Sequence, residues 1–455
     1  MKKISYFKGK LLGIGCEKVK CIWWMNIGAE RIWEKSSKGI VPRVELNGTS
    51  GIIGGIEQLC FLFADSNDTV IMRNNSSSIV EACMDALGLE KPEILLLAPS
   101  IIDINRSVSE LICERNQLIS LIQEYKKEFD EVLLVPYAVT QTEEMISQIT
   151  GCKLIGPPKE ISQWINSKVN TRKLAQQAGL PIPEGLVCRD VESIVFSLHE
   201  LKKKYGTSVV VKDAYGASGK GLYIIDNQKS FDFFLEFLDR KKMHLKSSEL
   251  EVIVERWYKN SININYQIFV RDDGHIIYIP PKIQIMNQGV YIGSEYPARH
   301  YLNIRQMELL EDAAAVTGKK LWKEGYRGIA GIDAIISGSG DIYPLIEING
   351  RFTLSTYISF IPDQLGCDKY YRSEYFNISD IEKFDAFLSE FERNRYSTEI
   401  REGIIIYSLT EPQNGNAGRV FVLFIYNNPE RLHGVRKKIA DVINPSLVRY
   451  ETNNS

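Results

Sequence analysis

Short apolar runs alternate with amphipathic segments in the first third of the chain. Three of these runs, Thr69–Arg73, Glu93–Leu97 and Glu131–Pro136, have the length of buried strands. Between the second and the third, residues 107–129 repeat apolar side chains at helical spacing. The face formed in this way carries Leu111, Leu118, Leu121 and Ile122. Strands separated by helices predict an open α/β layer with a largely parallel sheet.

The pattern changes at a Gly-Pro-Pro sequence, so a domain boundary is expected near Leu154–Pro158. The next periodic segment predicts a helix over Asn166–Ala178, with Gly179 at its C-terminal cap. From Ser208 to Ile348, strands and turns are expected to dominate.

The last section, from about Asp380, predicts a helix, two strands and a further helix. The strands are expected over Gly403–Ser408 and Arg419–Tyr426, and the final helix over Asn428–Val442. A section of this size and composition is expected to form a small α/β extension.

Composition and charge exclude several classes of partner. The 455 residues are 44% hydrophobic and 25% charged, with a formal net charge of -2, so bulk electrostatics predict no nucleic-acid or membrane partner. The apolar runs are too short to span a bilayer, and no signal peptide is recognised, so a cytoplasmic location is expected. Eight cysteines without a C-x-x-C pair, and only five histidines, predict reduced thiols rather than a structural zinc site.

A glycine-rich turn between two β-branched runs is the first candidate for chemistry. The segment from Val209 to Ile225 reads VVVKDAYGASGKGLYII. Glycine backbones can approach a polyphosphate closely and direct N–H groups at it, and Lys212 could add an ammonium group. A Walker A loop would need Gly at position 214, and a Rossmann loop would lead into a helix instead of the strand expected over Leu222–Ile225. A plain glycine hairpin is the alternative.

A second polar segment predicts a hairpin that carries a metal site. The turn is expected at Ser337–Asp341, and strand alternation places Glu347, Asn349 and Arg351 on one face. Asp333 joins that face only if the loop has an odd number of residues. Two carboxylates and an amide oxygen suit Mg²⁺, and the arginine could hold a phosphate oxygen. A solvent-facing polar stripe on an edge strand is the alternative.

These two segments, in this order, resemble the ATP-grasp superfamily. Asn166–Pro183 is similar to the helix that opens the family's ATP-binding module, and Val252–Tyr258 to the hinge strand between its two lobes. The resemblance covers residues 166–357. It implies an α/β (α+β) fold with an N-terminal preATP-grasp domain over 1–160, an ATP-grasp module over 161–370 and a C-terminal α/β extension over 371–455. The two lobes of the module would span 161–255 and 256–370.

The resemblance also implies roles for the matching residues. The phosphates would meet two lysines and the lid loop: Lys168, Lys212, Gly216, Ser218, Gly219, Lys220 and Gly221. Adenine would lie against Glu255, Arg256 and Tyr258, and the ribose near Asn263 or Asn265, where acidic residues or histidine are commoner. Magnesium, or manganese, would be held by Asp333, Glu347 and Asn349. The acyl-phosphate step would be supported by Arg351, Lys212 and Lys220.

The implied activity is that of an ATP- and Mg²⁺-dependent, ADP-forming carboxylate–amine ligase, which passes an acyl phosphate to an amine. The family favours an amino acid as the carboxylate substrate and a homo-oligomeric enzyme. Two alternatives stay open. The acceptor could be a carrier-protein thiol in a biosynthetic pathway, or the chain could be a nucleotide-binding scaffold without turnover.

Two further segments are candidates for substrate contacts. Substrate choice is expected to depend on residues 351–357 and 280–299, where an amino acid's charges could meet Lys282, Tyr291, Glu295 and Arg299. A glycine loop over residues 47–55 precedes a helix expected at Ile56–Ala64, and it is interpreted as a surface loop or an anion site.

Overall fold

A computed structural model describes residues 6–15, 18–29, 32–33, 39–42, 55–97, 106–216, 221–242, 250–287, 290–366, 368–413 and 416–443. Three sheets organise these residues: one of five strands, one of four and one of eight. Residues 47–54 of the glycine loop lie outside the described residues. The same holds for residues 217–220 of the lid loop, which include Ser218, Gly219 and Lys220.

The N-terminal sheet is parallel throughout, as the alternating pattern predicted. Its strands, in the order β3-β2-β1-β4-β5, are β1 Val19–Trp24, β2 Thr69–Met72, β3 Glu93–Leu96, β4 Glu131–Pro136 and β5 Lys153–Leu154. The helices are α1 Ser78–Ala86, α2 Val108–Cys113, α3 Asn116–Tyr125 and α4 Gln141–Thr150, with a π-helical turn at Tyr6–Leu12 and a 3₁₀ helix at Ile56–Leu62.

Residues 107–129 form two helices and not one continuous helix. The chain turns at Arg115, whose φ of -109° and ψ of 88° are not helical. Both helices then bury apolar residues in one cluster, with Ile112 from α2 and Ile122 from α3. Because the chain turns at Arg115, the apolar faces of both short helices pack into the same hydrophobic cluster.

The second sheet is antiparallel. We refer to the residues built around it as the first lobe, and to those built around the eight-stranded sheet as the second lobe. The strands of the second sheet, in the order β6-β9-β7-β8, are β6 Gly185–Cys188, β7 Val209–Asp213, β8 Leu222–Ile225 and β9 Val252–Arg256. Helices α5 Lys159–Ile165 and α6 Lys168–Gln177 precede it, and α7 Val191–Tyr205 and α8 Gln228–Lys242 accompany it. Gly179 follows α6 with a φ of +68°, in agreement with the predicted end of that helix.

The expectation of strands and turns over residues 208–348 missed two long helices. These are α8 and α9, which spans Ile304–Lys323. The apolar spacing of α8 is visible in the sequence, because Phe231, Phe234 and Leu238 recur at helical intervals and are buried in the core of the first lobe.

The third sheet has eight antiparallel strands in the order β14-β13-β10-β11-β12-β15-β17-β16. They are β10 Ile262–Val270, β11 Ile276–Asn287, β12 Val290–Tyr296, β13 Gly328–Ile336, β14 Ile342–Asn349, β15 Tyr370–Ile378, β16 Gly403–Thr410 and β17 Gly418–Tyr426. Its helices are α9, α10 Leu354–Tyr357, α11 Ile361–Leu365, α12 Ile381–Arg393 and α13 Pro429–Ile443, with a 3₁₀ turn at Ala298–His300.

The C-terminal extension is joined to the rest of the protein by both sheet and core. Its strands β16 and β17 continue the sheet of the second lobe through β15. Its apolar side also packs against the N-terminal unit, where Gln58 Nε2 donates to Leu409 O at 3.0 Å and Ile406 N approaches Cys83 Sγ at 3.4 Å. The extension therefore helps to fix the N-terminal sheet relative to the second lobe. Within the described residues, no helix is long and apolar enough to cross a membrane.

Candidate active site

The start of α6 brings Lys168 between the two lobes. The Lys168 backbone N–H donates to Ala214 O at 2.8 Å, next to the glycine-rich turn. Its Nζ donates to Gly216 O at 2.8 Å and lies 2.9 Å from Glu347 Oε1 on β14. A hydrogen bond from Gly350 N to Asn166 Oδ1, 3.1 Å long, holds the end of β14 against the beginning of this helix. One lysine thus links the glycine-rich turn of the first lobe to a carboxylate of the second.

A second cationic pair lies deeper in the first lobe. Lys212, near the end of β7, and Arg172, on α6, both contact the carboxylate of Glu255 on β9. The distances are 2.6 Å from Lys212 Nζ to Oε1 and 2.7 Å from Arg172 Nη1 to Oε2. All three residues are buried, and they line a small cavity together with Leu345 and Ile346 of the second lobe. Buried charges need such partners, so the three side chains form one closed network in the absence of a ligand.

Arg172 did not appear among the residues chosen from the sequence. The available signal was its position four residues after Lys168, because residues at this spacing share one helix face. The structure uses that face to direct both cations towards the cleft.

The remaining hinge residues have partners of their own. The Arg256 guanidinium lies over the rings of Tyr205 and Tyr258, at 4.3 and 4.5 Å from their centroids. The Arg256 backbone N–H donates to Glu184 O at 2.8 Å. The hydroxyl of Tyr258 is hydrogen-bonded to that of Tyr343 on β14. The hinge strand is therefore tied to the second lobe through a tyrosine pair.

The lid loop connects the antiparallel strands β7 and β8, and this confirms the strand that was expected after the glycines. Its described ends are Gly216 and Gly221, with φ values of +150° and +78°. A Cβ atom at Gly221 would lie 3.0 Å from Tyr215 O, so both conformation and space favour glycine there. The predicted contacts of Ser218, Gly219 and Lys220 lie outside the described residues.

The polar hairpin places its two carboxylates side by side. Asp333 on β13 is paired directly with Glu347 on β14, and Gly331 with Asn349. Asp333 therefore lies on the same face of the hairpin as Glu347, which the sequence predicted only for a loop with an odd number of residues. A Cβ atom at Gly331 would come within 3.0 Å of Thr353 Cγ2 and 3.7 Å of Asn349 Cβ, so glycine keeps this face open.

Amide groups surround Asp333. Its Oδ1 accepts hydrogen bonds from Asn265 Nδ2 at 2.8 Å and Gln284 Nε2 at 3.0 Å, and its Oδ2 accepts one from Asn349 Nδ2 at 3.1 Å. Burial, and next the charge of Glu347, raise the pKa of Asp333 to about 6. Asn265 therefore lies beside the carboxylates, whereas Asn263, the other candidate for the ribose, donates at 3.4 Å to Ser261 O.

The donor set can be compared with what magnesium needs. Two adjacent carboxylates in a partly buried position fit a hard divalent cation. Asn349 does not present its oxygen to the carboxylates, because Nδ2 faces Asp333 and Oδ1 accepts from Arg351 Nη2 at 3.1 Å. Its amide would have to rotate to become a ligand. Within the described residues, no group of three or more His, Cys, Asp or Glu side chains is placed to hold a metal.

Arg351 is held by the N-terminal unit. Its Nη1 donates to Tyr137 Oη at 2.7 Å and to Phe352 O at 3.0 Å. Tyr137 directly follows β4, and its backbone O accepts from Phe352 N at 3.0 Å. Carboxyl ends of parallel strands commonly form ligand sites, and this edge of the first sheet contacts Arg351 through Tyr137. Nothing in the sequence linked Tyr137 to Arg351, because 214 residues separate them.

Of the four residues proposed for substrate charges, two share a face with the carboxylates and two lie elsewhere. Lys282 faces the carboxylates, since it is paired with Asn265 across β10 and β11. Tyr291 is hydrogen-bonded to Ser294, which is on this same face because it pairs with Gln284. Glu295 points to the opposite face, where it pairs with Arg372 at 2.5 Å. Arg299 lines a groove against α9 on the outside of the lobe.

Two lobes that direct lysines and paired carboxylates into one cleft provide the charged groups that phosphoryl transfer from a nucleotide requires. Residues 165–355 match the ATP-grasp domain family. These residues therefore carry an ATP-grasp domain, as the resemblance implied, and the enzyme class supported by this domain and by the similar proteins is that of ADP-forming carboxylate–amine ligases.

The similar proteins fall into two groups by coverage. The [butirosin acyl-carrier protein]–L-glutamate ligase of Niallia circulans is 27% identical over 441 residues, which are 94% of this chain and 95% of that one. Biotin carboxylase of Halalkalibacterium halodurans is 24% identical over 206 residues, 44% of this chain and 43% of that one. The ligase is thus similar along nearly the whole chain, and the carboxylase along less than half of it.

Solved structures share the fold over almost the full length. A biotin carboxylase from Campylobacter jejuni in a beta-gamma-ATP complex has a TM-score of 0.55 at 14% identity, covering 95% of this chain and 96% of that one. The ADP complex of an N5-carboxyaminoimidazole ribonucleotide synthetase has a TM-score of 0.55 at 13% identity, with 93% and 96% covered. These similarities confirm the predicted fold class.

Proposed function

We propose that the enzyme phosphorylates a carboxylate of an amino acid, with L-glutamate as the first candidate, and transfers the acyl group to the thiol of a carrier protein. The observation that carries this proposal is the match of 441 residues to a carrier-protein glutamate ligase, which extends through both terminal sections. The C-terminal strands belong to the same sheet as Asp333 and Glu347, so these sections and the site form one structural unit.

The reaction requires two displacements. In the first, a carboxylate oxygen attacks the γ-phosphorus, the bond to the β–γ bridging oxygen breaks, and ADP leaves. In the second, the sulfur of the acceptor attacks the acyl carbon, the bond to the phosphate oxygen breaks, and inorganic phosphate leaves with the thiol proton released to solvent. Neither step needs a covalent protein group, so positioning and charge stabilisation are the contributions required of the chain.

The nucleotide phosphates would be bound by exchange of ionic partners. Lys212 and Arg172 share Glu255, and Lys168 contacts Glu347, before any ligand is present. A triphosphate offers several anionic oxygens to the same cations, so their charges would stay compensated after binding. The glycine-rich loop would then cover the phosphates and exclude water from the acyl phosphate.

Asp333 and Glu347 are the residues proposed to hold Mg²⁺, with Asn349 as a third ligand once its amide has rotated. The ion, when bound, would neutralise charge on the β- and γ-phosphates. Arg351 is proposed to hold an oxygen of the transferred phosphoryl group. Tyr137 and Asn349 fix two of its nitrogen atoms, and this restricts the orientation of the guanidinium.

The discriminating experiment measures ADP release with a panel of amino acids, with and without a phosphopantetheinylated carrier protein. We expect ADP release to require the holo carrier, and mass spectrometry to detect an acyl adduct on its thiol. Hydroxylamine added without the carrier should trap the acyl phosphate as a hydroxamate.

Two other outcomes would replace the proposal. Amide formation from free amino acids without a carrier would establish the second candidate, a ligase for free amines, which the resemblance also supports. An absence of ADP release with every donor and acceptor would identify a nucleotide-binding scaffold. The predicted homo-oligomer is open to measurement by light scattering on the same samples.

A further inference from the structure

Lys282 lies on the polar face of the eight-stranded sheet, in line with the two carboxylates. It is paired with Asn265 across β10 and β11, Asn265 is paired with Asp333, and Asp333 with Glu347. Paired residues of antiparallel strands point to the same face, so the lysine belongs to the wall that carries the proposed metal ligands. Its side chain is buried, with 4% of its surface exposed.

The ammonium group of Lys282 has fewer partners than it can bind. Its Nζ donates to Ser359 Oγ at 2.8 Å, and within the described part of the chain no carboxylate lies within 4 Å of it. An ammonium carries three donors, so two are left for other acceptors. Lys168 and Lys212, on the other side of the cleft, each contact a carboxylate.

The absence of a nearby anion has a clear electrostatic effect. Burial lowers the pKa of Lys282 from 10.5 to about 7, and no charged neighbour opposes this shift. A buried cation without a counter-ion is costly in a folded protein, whereas bound carboxylate would compensate it.

Hydroxyl and amide groups next to the lysine form the rest of a polar cluster. Ser359 Oγ donates to Ser355 O at 2.9 Å, and Ser355 Oγ accepts from Gln267 Nε2 at 3.0 Å and donates to Asn265 Oδ1 at 3.0 Å. Gln267 is fully buried, and its Oε1 has no hydrogen-bond partner. This oxygen is an acceptor, so a donor group of water or of a ligand, and not a carboxylate, would complete it.

We propose that Lys282 binds a carboxylate of the donor substrate through its two remaining donors, at a position next to Ser355 and Ser359. The proposal rests on the proposed function, because it needs a carboxylate donor. It assigns to Lys282 a binding role that is separate from the nucleotide lysines. The bound carboxylate could be the one that is phosphorylated or a second carboxylate of the same molecule. Comparison of L-glutamate with L-glutamine distinguishes the two cases.

The test is calorimetric titration of the enzyme with amino acids in the presence of Mg²⁺ and a non-hydrolysable ATP analogue. Wild type, Lys282→Met and Lys282→Arg are compared with Lys369→Met, a control at another buried lysine, whose Nζ donates to Asn427 Oδ1. We expect Lys282→Met to weaken L-glutamate binding by about 10- to 100-fold, as for a lost charge-assisted hydrogen bond. The arginine variant should recover part of the loss, and the control should bind L-glutamate like wild type.

L-Glutamine and L-glutamate together identify which carboxylate is bound. A loss confined to L-glutamate would show that Lys282 binds the second carboxylate, and an equal loss with both would show that it binds the carboxylate common to them. Equal affinities of wild type and Lys282→Met for both ligands would overturn the inference. Failure of the wild type to bind any amino acid would instead overturn the proposed donor class, and the inference with it.

The pH profile supplies a readout that does not depend on the methionine variant folding. Among the described residues, other titratable or charged groups on or against this face are Asp333, Glu347, Arg351, Tyr291 and Tyr407. The pKa of Tyr291 is raised by burial to about 12, and Asp333 and Glu347 would hold Mg²⁺ in these titrations, so a change between pH 7 and 9 is assigned to the lysine. Wild-type affinity for L-glutamate should fall as Lys282 loses its proton above pH 7. The arginine variant should show no such fall, and a flat wild-type profile over this range would contradict the assignment.

Discussion

The two walls of the cleft hold their buried charges in different ways. On the first-lobe wall, Lys212 and Arg172 share the carboxylate of Glu255 at hydrogen-bonding distance. On the wall formed by the eight-stranded sheet, Asp333 accepts three hydrogen bonds from amides, and Lys282 donates to one hydroxyl. Cations and anions are thus paired with each other on the first-lobe wall. On the sheet wall, Asp333 and Lys282 have neutral hydrogen-bond partners, and Glu347 is paired with Lys168 of the first lobe.

This difference indicates how each wall would respond to a ligand. Where a cation already has an anionic partner, a phosphate replaces that partner and the net gain is limited by the pair that is lost. Where charged groups have only neutral partners, the incoming ion compensates a charge for the first time. We therefore expect substitutions on the sheet wall to affect catalysis and donor binding strongly, and those on the first-lobe wall to affect mainly nucleotide affinity.

The largest effect is expected for Glu347→Gln, which removes one of the two adjacent carboxylates. Turnover should fall by about 10²- to 10³-fold, because the proposed metal site loses a charged ligand. The fold should persist, since Lys168 keeps its hydrogen bond to Gly216 O. ADP release at several Mg²⁺ concentrations and circular dichroism measure the two effects. Glu324→Gln at the exposed end of α9 is the control, and unchanged turnover in Glu347→Gln would refute the metal assignment.

A smaller and more specific effect is expected for Lys212→Ala. Affinity for a non-hydrolysable ATP analogue should fall by about 10- to 100-fold through loss of a charge-assisted contact. Glu255 would still be paired with Arg172, so the thermal stability should change little. Calorimetry measures the affinity, with Lys203→Ala on the exposed side of α7 as the control. Equal affinities of Lys212→Ala and wild type would place this lysine outside the nucleotide site.

The unpaired charge on the sheet wall also predicts how stability depends on pH. The folded protein holds Lys282 at a pKa of about 7, below the ordinary value of 10.5, so the unfolded chain binds more protons between these two values. The free energy of unfolding of wild type should therefore rise with pH from 7 towards 10, by about 1 kcal/mol per pH unit relative to Lys282→Met. Urea unfolding at pH 7, 8 and 9 tests this, and parallel pH profiles of the two proteins would contradict it.

The sequence predicted most of the fold because its signals are local. Alternating strands and helices gave the parallel sheet, and glycines between β-branched runs gave the β7–β8 hairpin. Strand alternation placed Glu347 and Asn349 on one face, but Asp333 could be added only conditionally. The face on which Asp333 lies depends on the pairing register of β13 and β14, and a bulge between Asp333 and Ile335 shifts that register.

The contacts that the sequence did not reveal connect distant parts of the chain. Arg172 reaches Glu255 across 83 residues, and Tyr137 reaches Arg351 across 214. Lys282 was among four candidates in one segment, and only the strand pairing separates it from Glu295, which faces the other way. Burial and pairing of this kind follow from the packing of three sheets, so no local pattern encodes them.

The smallest expected effect concerns Tyr137→Phe, which tests whether the N-terminal unit contributes to the sheet wall. The substitution removes the hydroxyl that accepts from Arg351 Nη1, while the ring can keep its stacking contact with the guanidinium, 5.1 Å from its centroid. We expect kcat to fall by about 3- to 10-fold, with an unchanged KM for ATP, because Arg351 Nη1 keeps its hydrogen bond to Phe352 O. The matched control is Tyr301→Phe on the exposed surface near α9. An unchanged kcat in Tyr137→Phe would show that Asn349 and Phe352 O suffice to orient Arg351, and a raised KM for ATP would show that the N-terminal unit acts on the nucleotide wall instead.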